Sequence, residues 1–155
     1  MRTTGLVGCM VALFFAFAVP AAAMIQLDRG IAGARIGASR AAVRAALGSP
    51  AKVTGGRNDF GAFVRYRYEG GLRVMFQGKR RVTSVFTSGL GDRTASGVGV
   101  GSTEAEVDAL PGVKCETIAG AGSCHTGSFE PGRRVTSFRV LRGTVASVSV
   151  GLVID

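Results

Sequence analysis

The chain has 155 residues, with 24 Gly, 19 Lys and Arg against 10 Asp and Glu, three Cys, one His and no Trp. One His and so few Cys leave no material for a multi-ligand zinc site or an iron–sulfur cluster. Apolar residues make up 46% and the glycines have no three-residue period, which excludes a disordered or collagen-like chain and fits one domain or two small ones.

The first 23 residues read as a secretory leader. Arg2 precedes an uncharged apolar run, Pro20 breaks it, and Ala21 and Ala23 form an A-x-A site, so cleavage is expected after Ala23. A retained membrane anchor is the competing reading, since the run is almost long enough to span a bilayer. Cys9 lies before most of the apolar run, the wrong end for lipoprotein processing.

Two stretches then align without gaps at an offset of 64 residues, 36–48 and 100–112. Each opens on a β-branched residue and a Gly, followed by a hydroxyl residue, Ser39 or Thr103, suited to cap a helix. Val43 and Val107 face inward in the predicted helices, and Gly48 and Gly112 end them. Arg40 and Arg44 of the first helix stand where the second has Glu104 and Asp108, so one helix offers a basic face and the other an acidic one.

Downstream of each helix the pattern turns alternating. Strands are predicted at 63–68, 72–76 and 81–87 in the first copy and at 134–141 and 144–150 in the second, with a shorter strand near 124–129. Residues 55–61 read as a loop and 88–98 as a Gly- and Ser-rich linker. The expected class is α+β, two tandem repeats of a short helix packed on an antiparallel meander, at 24–90 and 91–155 after a 1–23 signal peptide.

Cys115 and Cys124 are the only cysteines beyond the leader, and an even count in an oxidising compartment favours a disulfide. Two redox-active thiols are the alternative, but the spacing is not C-x-x-C. His125 directly follows Cys124, so on a strand the two side chains point to opposite faces, which suits no nucleophile–base pair. The run Gly97–Gly101 before the second helix lacks the Lys of a phosphate loop. These residues supply neither a catalytic set nor a cofactor site.

In the first copy, alternation sets Val64, Tyr66, Val74 and Phe76 under the helix and leaves Phe63, Arg65, Arg67, Arg73 and Met75 on an uncovered face. Arg and aromatic side chains are enriched at binding hot spots, and an ordinary solvated sheet face is the other reading. Lys79, Arg80, Arg81, Arg133 and Arg134 add positive charge that would attract anionic wall polymer. No RNA-binding signature appears, and nucleic acid is not an expected partner.

The chain resembles the tandem α+β repeat of secreted β-lactamase inhibitory proteins, and shares a shape with BamE-like envelope domains. The matching residues are Ile36-Gly37-Ala38-Ser39-Arg40 and Val100-Gly101-Ser102-Thr103-Glu104, Cys115-Glu116-Thr117 with Cys124 beyond, Asn58 through Phe63, and Gln77-Gly78-Lys79-Arg80. The resemblance implies that Asp59 and Phe60, the acidic and aromatic pair of a loop, enter the active site of a target enzyme. The expected function is therefore an exported, non-enzymatic protein-binding module, using Asp59, Phe60, Phe63, Arg65, Arg67 and Arg73. The alternative is a structural or adhesive envelope module holding anionic wall polymer or envelope proteins.

Overall fold

The computed structural model describes residues 25–78, 80–118 and 121–154, so the predicted leader and Lys79 lie outside the described residues. Chain order runs β1 (Ile25–Gln26), β2 (Gly30–Ile31), β3 (Ala34–Arg35), α1 (Arg40–Leu47), β4 (Lys52–Asn58), β5 (Gly61–Arg67), β6 (Arg73–Gln77) and β7 (Ser84–Thr87). Then come α2 (Glu104–Asp108), β8 (Val113–Ile118), β9 (Ala121–Thr126), β10 (Arg134–Leu141) and β11 (Thr144–Leu152). β1 to β3 form a small antiparallel sheet, and the other eight strands form one sheet in the order β4-β5-β6-β7-β11-β10-β9-β8. The last strands of the two runs, β7 and β11, therefore pair at its centre.

Local chemistry explains the helix limits. Ser39 Oγ accepts from the Ala42 amide at 3.2 Å, and Gly48 closes α1 at φ 77°. Thr103 and Glu106 form a reciprocal capping box at α2. Pro111 and Gly112 follow so closely that α2 lasts five residues, little more than one turn.

The expected α+β class, two repeats each of a short helix on a meander, is corrected by this architecture. Strands take 49% of the structure and helix 13%, with one helix of more than a turn or so and sheets of three and eight strands. The reason lies in the length of the helices and in where the apolar residues sit. The buried Val-rich positions recur with a period of two along β6, β7, β10 and β11, and they merge into one core. Val85, Val148 and Val150 close that core at the central seam, all fully buried.

Three further expectations change. Residues 55–61 are mostly strand, β4 and its hairpin tip, because each β4 residue pairs in register with β5. The segment at 124–129 begins inside β9, whose partner β8 carries Cys115. The predicted linker is packed: Asp92, Thr94 and Val98 are buried, and Thr87 Oγ1 donates to the Asp92 carboxylate. Arg93 reaches Leu90 O, Gly97 O and Ser102 Oγ at 3.1–3.2 Å.

One face of the large sheet carries Tyr66, Val74, Phe76, Phe138, Val140 and Cys124, and α1, the small sheet and α2 lie against it. The Arg44 guanidinium sits 5.3 Å over the Tyr66 ring and that of Arg40 5.8 Å over Phe76, so the basic side chains of α1 pack on first-half aromatics. No ion pair joins them to Glu104 or Asp108 among the described residues.

A second anchor ties the amino-terminal segment to the far half of the sheet. Asp28, at φ 58°, accepts at Oδ1 from the hydroxyls of Thr126 and Thr136, and its amide donates to Thr136 Oγ1 at 2.6 Å. Asp28-Arg29 and Asp92-Arg93 also stand 64 residues apart, a signal that would have marked both carboxylate–threonine contacts.

Candidate functional site: the open sheet face and the β4–β5 hairpin

The second face of the large sheet has no covering layer among the described residues. Register decides which side chains meet there. Lys52 lies opposite Arg67, Arg67 opposite Arg73, and Arg73 opposite Phe86, so three cationic side chains stand in one row across β4, β5 and β6. Directly opposed residues have Cβ atoms roughly 5 Å apart, and like charges so placed repel. Among the described residues, none of these three is in an ion pair.

Aromatic rings hold two of the guanidinium groups. Arg73 stacks on Phe86 at 4.4 Å, and Arg65 on Phe63 at 5.5 Å. Phe63 in turn lies across Gly56, where a Cβ would come within 2.9 Å of its ring. A glycine at that position lets the ring lie flat on the strand. Arg65, Arg73, Met75, Ser84 and Phe86 line a hollow of about 200 Å³. Across the β7–β11 seam, a second hollow of about 280 Å³ is bounded by Phe129, Val135, Leu152 and Val153 over a floor of Ser137 and Ser149.

Asp59 and Phe60 form the two-residue tip between Asn58 and Gly61. The tip is braced from β6: Gln77 Nε2 donates to Asn58 Oδ1 at 3.0 Å and to Phe60 O at 2.8 Å. Asn58 Oδ1 also accepts from the Phe60 amide at 3.2 Å, an Asx turn. Gly61 takes φ 96°, a conformation side-chain-bearing residues rarely adopt. Phe60 is left 53% exposed on a rigid support. The structure thus brings Phe63, Arg65, Arg67 and Arg73 onto one face and sets Asp59 and Phe60 at its corner. Lys52 was missed from the sequence because its segment lacks apolar alternation, and Phe129 because it sits in a loop.

Cys115 and Cys124 are directly opposed on β8 and β9 and joined in a disulfide. Glu104 lies near both sulfurs, but joined sulfurs offer no thiolate pair to a metal. His125 points to the open face, stacks on Phe129 at 4.8 Å and reaches Glu116 at 3.3 Å, while Cys124 is fully buried on the opposite side. No described helix is long and apolar enough to cross a membrane.

No family model matches the chain, and no curated protein matches it. Among solved structures, an extracellular protein containing an SCP domain from Bacillus anthracis str. Ames is similar over 75% of this chain, at 10% identity and a TM-score of 0.47. The chain covers 43% of that protein, and a likeness of this degree bears on neither fold nor role.

Proposed function

We propose that the protein is an exported, non-catalytic binding module whose open sheet face docks an acidic protein. The observation that carries this reading is the row Lys52, Arg67, Arg73. Three like charges in register destabilise a sheet, and an anionic partner would turn that cost into binding energy. The stacked guanidiniums of Arg65 and Arg73 support the same reading, since an aromatic platform limits the entropy lost on docking. The apolar leader and the disulfide support export. In the inhibitor-like version, the braced Asp59–Phe60 tip enters a cleft of the partner.

The test is capture of partners from culture supernatant and envelope extract at two salt concentrations. Phe60→Ala weakens retention of the partner by about 2 kcal/mol if the tip is an anchor. A partner held equally by wild type and by the Phe60→Ala variant removes the tip from the site. An anionic envelope polymer is the second reading, favoured by the net charge of +9. Polymer binding collapses between low and moderate salt, whereas a protein anchored by a buried aromatic persists.

A further inference from the structure

The two edges of the large sheet differ. At β8 the disulfide and α2 brace the strand, and its one cation, Lys114, is offset by Glu116. At β4 nothing among the described residues pairs with the outer side. Hydrogen bonding along an antiparallel pair alternates, which tells the direction of each β4 peptide group. Ala62 O accepts from the Gly78 amide at 2.8 Å and the Tyr68 amide donates to Leu72 O at 2.9 Å, so the even-numbered residues of β5 face β6. Their register partners Arg57, Gly55 and Val53 therefore turn their own peptide groups outward. Gly55 presents its outward groups with no side chain beside them, and Val53 beside it is half exposed.

The charges at this edge select its occupant. Lys52 lies on the open face beside Arg67, and Arg57 lies on the opposite face. A second copy of the chain would bring two such basic edges together, whereas an acidic strand would neutralise both faces at once. We propose that β4 is a strand-addition site: an extended acidic segment of the partner pairs with Val53, Gly55 and Arg57 as a ninth strand, setting one carboxylate opposite Lys52 and another opposite Arg57. This deepens the proposed function and rests on the partner being an acidic protein.

The probe is a short fluorescent peptide of Val and Thr carrying Glu at two positions five residues apart, so that in an extended strand the two carboxylates fall on opposite faces, added to the intact disulfide-bonded protein. Backbone amide exchange at Val53, Gly55 and Arg57 slows by about tenfold or more on binding, since those hydrogens become bonded. Gly55→Pro removes an outward donor that β5 does not use, and lowers peptide affinity by about tenfold. Exchange in the unmodified protein keeps the inference testable if that variant folds poorly. Peptide binding weakened by Arg67→Gln with Arg73→Gln, but without protection at the three amides, overturns strand addition and leaves an acidic partner standing. Protection that rises with protein concentration in the absence of peptide assigns the edge to a second copy and overturns the inference. No peptide binding also overturns it, and the proposed function falls with it only if the two Arg variants leave capture of natural partners unchanged.

Discussion

Neutralising Arg67 separates a binding role from a purely structural one. Arg67 is exposed and lies between Lys52 and Arg73, each directly across one strand. Each like-charge contact costs about 0.2–1 kcal/mol. For charges roughly 6 Å apart in water, Coulomb's law returns about 0.7 kcal/mol before screening, in the same range. Arg67→Gln removes two such contacts and little buried surface. The variant is expected to be more stable than wild type by about 0.5–1 kcal/mol at low salt, a rise in melting temperature of roughly 2–5 °C for a domain of this size. The gain should vanish at about 0.5 M salt, where the Debye length is near 4 Å. Urea unfolding at the two ionic strengths measures it, and partner capture should weaken in the same variant. A residue kept for binding at the expense of the fold shows both effects. An Arg67→Gln protein that is less stable at low salt, or whose stability change ignores salt, refutes the repulsive row and the reasoning built on it.

Three further outcomes follow from the packing. Replacing Cys115 and Cys124 together by Ala opens a bridge of sequence separation 9 and should lower stability by about 2–3 kcal/mol, read from the urea midpoint of the double variant against the oxidised protein. Thr136→Val keeps the shape of a fully buried side chain but takes a hydroxyl from Asp28 and an acceptor from its amide; a loss of about 2 kcal/mol in the same assay is expected. Burial pushes the Tyr68 phenol above its usual range, with Tyr66 adding to the shift and Arg44 opposing it. The folded state therefore holds this proton more tightly than the unfolded chain, so its contribution is complete below pH about 10 and declines as pH rises toward the folded value. Tyr68→Phe should flatten that alkaline decline in a series of thermal melts, and an unchanged slope would assign the decline to other groups.

How much was legible in the sequence depended on whether the signal was local. Ser39 and Gly48 delimit α1, because a cap and a terminator act within one turn of the chain. The strands at 63–68, 72–76, 134–141 and 144–150 showed themselves through alternation, and Tyr66, Val74 and Phe76 do face the core. The cysteine bridge followed from an even count beyond the predicted leader, a matter of compartment chemistry that needs no coordinates. What misled was weighting two similar helix starts as two equal units. Pro111 cuts the second short, and a period of two in the valines builds a single sheet and core instead.

Tertiary structure decided what the chain's own neighbours could not. Gly55 and Gly56 have little intrinsic preference for a strand; β5 offers them a hydrogen-bonding edge and Phe63 lays its ring where a glycine has no side chain. The amino acid types alone established a basic character and a set of arginines at alternating positions. Only register, a long-range property of paired strands, set Lys52, Arg67 and Arg73 side by side and left the outer side of β4 open, because residues far apart along a chain become neighbours only when hydrogen bonds between strands hold them there.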